Sequence, residues 1–170
     1  NNLNKLGKLT AIDLLKFNGI GEAKAVSIIT ALELGRRRRL EEAQKTSKIT
    51  GSKDVFDLMQ PIIGEIPHEE FWIIYLNNSN KVLLKQQQSK GGITGTLVDV
   101  RLVLKQALEV GATSLILAHN HPSGTLVPSE SDKQLTQKLK QAANSLDIKV
   151  LDHLIVTEKA YFSFADDNLL

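Results

Sequence analysis

The segment SLILAHNHPSGTLVPSESD, residues 114–132, divides into a strand, a turn and the start of a helix. The apolar run Ser114 to Ala118 follows Gly111, which closes the preceding helix, and has the length and content of a buried strand. His119 and His121 are two apart, so on an extended backbone both imidazoles point to one side, with Cα atoms roughly 6.5 Å apart. Pro122 cannot donate to a ladder and Ser123-Gly124 is turn chemistry, so the strand stops there and the chain loops over its end. Asp132 opens an amphipathic segment, Lys133 to Leu146, whose apolar positions Leu135, Leu139, Ala142 and Leu146 follow helical spacing.

Two readings of this pattern compete. Two neutral imidazoles and one carboxylate form an N/N/O set with a fourth position open to water, the arrangement of catalytic zinc. Zinc lowers the pKa of such a water to about 7, and a carboxylate is then wanted as proton acceptor. Alternatively, Ser129-Glu130-Ser131-Asp132 fits a capping box, in which Ser129 caps the helix and Asp132 answers it without any metal.

Upstream, Glu69 to Leu76 and Lys81 to Gln88 read as two strands joined by Asn77-Asn78-Ser79-Asn80. Period two puts Glu69 with Phe71, Ile73 and Tyr75 on one face, and Glu70 with Trp72, Ile74 and Leu76 on the other. Either carboxylate can serve the metal, depending on which face packs inward. Helical spacing marks Asp54 to Ile63, with Ser52 as its cap, and Val98 to Val110. Gly91 to Thr96 is glycine-rich without a phosphate-binding pattern and reads as a loop near the site. Lys149 to Thr157 and Tyr161 to Phe164 close the chain as strands. Asp152 and His153 point to opposite faces there, which assigns His153 to packing or to support behind the ligands.

The order of elements predicts an α/β (α+β) sandwich over residues 52–170, a mixed sheet flanked by helices. A small helical module at residues 1–40 precedes it, with a polar linker at 41–51. The two parts differ in charge: residues 1–50 hold ten Lys/Arg against five Asp/Glu, a balance of +5, whereas residues 51–170 hold eleven against fourteen, a balance of −3. In the first module a short helix, Ala11 to Phe17, the turn Asn18 to Gly21 and a second helix, Glu22 to Leu34, make a helix-hairpin-helix pattern. Gly19 and Gly21 allow backbone amides to approach a phosphate, Lys24 adds charge, and Arg36 to Arg39 extend the basic surface, so non-specific nucleic-acid contact is the functional expectation. An ordinary helical hairpin with a solvated basic end is the alternative. No stretch approaches the roughly 20 apolar residues of a membrane span, and the absence of cysteine excludes disulfides and thiolate ligands. A cytoplasmic protein without a membrane partner is expected, and oligomeric state has no signal in the sequence.

The spacing His119, His121, Ser129, Asp132 resembles, position for position, the signature of the JAMM (MPN+) metalloproteases, and HNHPSG followed by PSESD resembles the RadC family. The stretch KFNGIGEAKAVSIITALELGRR and the later LDHLIV are similar to RadC sequences as well, so the likeness covers essentially the whole chain. One departure is the start of the helix near Arg101: RadC proteins commonly carry Pro-Arg-Glu, and this chain has Val100 and Leu102 around the arginine. The resemblance implies a JAMM/MPN-like fold holding one Zn²⁺ on His119, His121 and Asp132. It implies that Ser129 supports the oxyanion and that Glu69, one residue further from the apolar run than Glu70, is the general acid/base, with Glu70 in reserve. The expected activity is zinc-dependent hydrolysis of a peptide or isopeptide substrate. The rival expectation is a DNA-associated repair or recombination factor whose metal site is structural. The contiguous triplet HNH is not evidence for HNH nucleases, whose name refers to dispersed residues.

Overall fold

In the computed structural model, residues 3–44, 48–90 and 98–170 are described. The glycine-rich segment 91–96 lies outside them. The chain divides into two compact units, residues 1–45 and 46–170.

In the first unit α1 (Leu3–Gly7) and α2 (Ala11–Leu15) precede a long α3 (Glu22–Gln44). Thr10 caps α2 through a full capping box with Asp13. The turn between α2 and α3 contains Gly19 at φ +83°, a left-handed conformation that glycine adopts without strain. α3 is longer than its apolar spacing predicts. Residues 41–44, read from their polarity as the start of a linker, continue the helix; Glu, Ala and Gln are strong helix formers and no Gly or Pro interrupts them.

The second unit contains α4 (Ser52–Ile63), β1 (Glu70–Leu76), β2 (Val82–Lys90), α5 (Val100–Glu109), β3 (Ser114–Asn120), α6 (Glu130–Asn144), β4 (Lys149–Val156) and β5 (Tyr161–Ser163). Its strands form one mixed sheet in the order β2-β1-β3-β4-β5, flanked by helices, which is the α/β class expected. β3 and β4 run parallel with α6 as their crossover, and every other pair is antiparallel. The helix caps differ from expectation in one place. Ser52 does not cap α4: Gly51 holds that position, and the Ser52 hydroxyl bonds Asp166 and Tyr161 instead.

β3 is buried along its whole length because strands cover both its edges and helices both its faces. Phe71, Ile73, Tyr75, Leu115 and Leu117 face α5 and α6, packing with Val103, Ala107, Leu139 and Ala143 in one core. α4 lies against β3 and β4 from the other face. Because β3 sits at the centre of this packing, its C-terminal end is a rigid platform. Replacing Leu117, which has no exposed surface, by Ala is expected to cost about 2–5 kcal/mol, read as a lowered urea midpoint.

Candidate metal centre

His119 is the penultimate residue of β3, and His121 lies one residue beyond the strand, where its amide donates to Val156 O at 3.2 Å. The turn then reverses the chain: Gly124 N donates to His121 O at 2.9 Å with Gly124 at φ +82°. That left-handed residue brings Thr125 O to 2.8 Å from His121 Nδ1. A carbonyl only accepts, so Nδ1 of His121 carries a proton, and in the neutral ring Nε2 is the nitrogen with the lone pair.

A longer relay sets His119. Thr136 Oγ1 donates its single proton to Asp132 O at 2.6 Å, one turn back along α6. It therefore accepts from His153 Nδ1 at 2.7 Å. His153 Nε2 in turn accepts from His119 Nδ1 at 2.8 Å, which leaves His119 Nε2 without a proton. Burial holds the pKa of His119 down to about 4, with Asp132 opposing and His121 reinforcing the shift, so the ring is neutral near pH 7. His153, fully buried and stacked on Phe164 at 4.6 Å, is held well below its ordinary value by the same cause.

The two Nε2 atoms lie 3.0 Å apart. With both tautomers fixed by their far-side partners, two neutral rings present two lone pairs to each other here, a repulsive arrangement that a cation between them reverses. Two nitrogens at 2.0–2.1 Å from one tetrahedral zinc are separated by about 3.3 Å, close to the spacing seen. Asp132 supplies the third donor: Oδ1 is 3.4 Å from His119 Nε2 and Oδ2 is 3.9 Å from His121 Nε2. Donor atoms of these three residues all fall within 4.8 Å of one another, so the group could hold a metal ion.

The capping reading of Asp132 holds, and its geometry leaves room for the metal reading beside it. Oδ2 accepts from Ser129 N at 2.8 Å and from Ser129 Oγ at 2.6 Å, closing the capping box, while Asp132 N donates back to Ser129 Oγ at 3.2 Å. Oδ1 is the oxygen nearer His119, and Oδ2 is the one nearer His121. The cap thus holds the carboxylate in the orientation a ligand needs. The same bonds occupy the Ser129 hydroxyl, which also lies 2.8 Å from Ser131 Oγ.

A cavity of about 750 Å³ opens over the centre. Glu69, Phe71, Ser129, Ser131, Leu135 and Lys138 are among its walls. Glu69 precedes β1 rather than beginning it, is exposed, and makes no hydrogen bond among the described residues. Because Phe71 pairs directly with His119, alternation puts Glu69 on the histidine face. Glu70 is buried, with its carboxylate bound to His68 Nε2 and Trp72 Nε1, both at 2.9 Å. It does not line the cavity.

Thr136 and Asn120 were not singled out from the sequence. Thr136 lies one helical turn after Asp132, and that i,i+4 spacing on the ligand face was the available signal. The residues expected to contact nucleic acid lie in the first unit. Gly19 is in the hairpin turn, and Lys24 Nζ donates to Gly19 O at 2.9 Å, so its ammonium closes the turn. Arg36 is bidentate to Glu33 at 2.8 Å for both bonds, and Arg37 shares that carboxylate at 2.9 Å. Among the described residues no helix is long and apolar enough to cross a membrane.

A mixed five-stranded sheet that brings two histidines and an aspartate together at the end of its central strand defines an α/β domain with a group that could hold a metal ion. A model of the RadC-like JAB domain matches residues 49–169. The chain belongs to that RadC family. It is 65% identical over 168 residues to a UPF0758 protein of Flavobacterium johnsoniae, covering 99% of this chain and 73% of the relative. It is 43% identical over 172 residues to a UPF0758 protein of Porphyromonas gingivalis, covering 100% and 76%. A UPF0758 protein of Chlorobaculum parvum is 40% identical over 168 residues, covering 99% and 75%.

Two outcomes test this geometry. Replacing His153 by Ala leaves every ligand in place but removes the group that sets the His119 tautomer, and is expected to weaken cobalt(II) affinity about 10–100-fold by titration. The second concerns pH. His119 in the folded chain stays neutral down to about 4, whereas in the unfolded chain it protonates around its ordinary value of 6.5. His119's contribution to the stability of the metal-free protein is therefore full above about 6.5 and is lost as the pH falls toward about 4, so His119→Gln is expected to show a shallower dependence, read from urea midpoints across that range.

Proposed function

We propose that this chain is a zinc-dependent hydrolase acting on a peptide or isopeptide bond. The observation that carries the reading is the convergence of two unprotonated imidazole nitrogens and one carboxylate oxygen at the floor of an open cavity whose wall includes Glu69. The donor set is nitrogen and oxygen with no thiolate, which suits zinc with a position left for water. When bound, zinc brings the pKa of a water to about 7 and polarises a scissile carbonyl.

The remaining work falls to the chain's own side chains. Glu69 is exposed at the cavity wall and takes up a proton there, then returns it to the leaving amine. Ser129, once its hydroxyl turns from Asp132 Oδ2 into the cavity, donates to the developing oxyanion. Phe71 and Leu135 give the cavity apolar wall on which a substrate side chain can lie. The family likeness supports this reading through the matching positions of His119, His121, Ser129 and Asp132.

Elemental analysis of purified protein tests the metal, with about one zinc per chain expected for the wild type and none for His119→Ala. Quenched fluorescent peptides and lysine-ε-linked isopeptides test the chemistry. Glu69→Gln is expected to keep its zinc and to lose about 10²–10⁴-fold in kcat. Full activity in that variant would remove Glu69 from the mechanism.

A further inference from the structure

Asn120 stands between the two histidines. Alternation along β3 sends its side chain to the face opposite the imidazoles, so it is no ligand. It is nevertheless 1% exposed and fully engaged. Oδ1 accepts from Glu70 N at 2.7 Å, and Nδ2 donates to His68 O at 2.8 Å. Those two groups belong to the peptide units immediately before and after Glu69.

The sheet register explains why a side chain is used here. Pairing between β1 and β3 ends where Phe71 meets His119, and continuing that register brings Glu70 opposite Asn120. At this rung the amide of Asn120 takes the place of ladder hydrogen bonds. The segment 68–70 is thereby held to β3 beyond the last β1–β3 ladder pair, and Glu69 sits at the edge of the cavity.

We propose that Asn120 is a positioning residue for Glu69, fixing the carboxylate relative to the metal centre by clamping the peptide groups on either side of it. The inference rests on the reading of Glu69 as the proton carrier. Glu69 shares the face of Phe71 and His119 only while residues 68–70 remain extended in this register; a slip of one residue would turn Glu70 to the site instead. Glu70 is a poor replacement, since its carboxylate is already bound to His68 and Trp72. The chemistry selects the amide: one oxygen must accept and one nitrogen must donate on the same short side chain. Aspartate would set a second acceptor against His68 O, and leucine, of similar shape, would offer neither bond. Because the clamp is buried and sits at the end of β3, between His119 and His121, the histidines and the carboxylate share one rigid reference.

Cobalt(II) alone is the probe for the test, in the full chain. Wild type, Glu69→Gln, Asn120→Ala and the double variant are titrated with the ion, and the pH midpoint of the visible absorption of each is recorded. Asn120→Ala is expected to bind cobalt(II) with unchanged affinity, to shift the midpoint in the same direction and by the same amount as Glu69→Gln, and to shift it no further when the two are combined. Asn120→Leu keeps the side-chain volume and gives the same readout if the alanine variant does not fold. A wild-type midpoint in both Asn120 variants, with Glu69→Gln shifted, overturns the clamp and leaves the role of Glu69 standing. An unshifted Glu69→Gln overturns the proton-carrier reading itself, and the clamp's purpose with it. Loss of the ion in Asn120→Leu also overturns the proposal, by showing that Asn120 serves the ligands.

Discussion

Two imidazole lone pairs meet 3.0 Å apart at the end of β3, and most of the second unit bears on that contact. Left alone it is repulsive; with a cation it becomes two coordination bonds. What makes it a designed contact is that neither ring can relieve it by changing tautomer. The Thr125 carbonyl holds the proton on the far nitrogen of one ring, and the chain Thr136–His153–His119 holds it on the far nitrogen of the other. Burial then opposes protonation of His119 as a third way out. The sheet and α6 exist around this point in a physical sense, since the relay runs from a helix through β4 to β3 and fails if any of the three shifts.

Several residues at the centre serve folding and chemistry with different atoms. Asp132 closes the capping box of α6 with Oδ2 and directs Oδ1 toward His119, so the helix start and the ligand are stabilised by one side chain. Thr136 caps no helix but links the turn after Asp132 to His153. Asn120 uses both ends of an amide to tie the entry of β1 to the strand beside it. Such double use explains how a small domain can hold a polar centre among buried elements: each buried polar atom of these residues has its partner, which removes the desolvation penalty that isolated groups would carry.

Much of this was legible in the residues. Strand and helix periods gave the element order, the HxH spacing with Asp132 pointed to the three residues that come together at the end of β3, and the family likeness extended along the chain. Other features were not. The polarity of residues 41–44 concealed a helix, because solvated helices and linkers share a composition and only the lack of breakers separates them. Ser52 looked like a cap, yet its hydroxyl bonds Tyr161 and Asp166, more than a hundred positions away, a competition that local sequence does not express. The choice between Glu69 and Glu70 was open from alternation alone, since period two separates faces without saying which is inward.

The sequence by itself determined the donor atoms: which residues can offer nitrogen or oxygen to an ion, and that no sulfur competes, because side-chain chemistry and short spacings are properties of the chain. Only the tertiary structure decided which nitrogen of each ring is free, which oxygen of Asp132 faces the site and which glutamate borders the cavity. Those outcomes depend on hydrogen bonds between segments far apart in sequence, from His153 to His119, and from Asn120 to the peptides around Glu69. A tautomer or a facing direction is set by the partner across the sheet, and that partner is fixed only when the strands come into register.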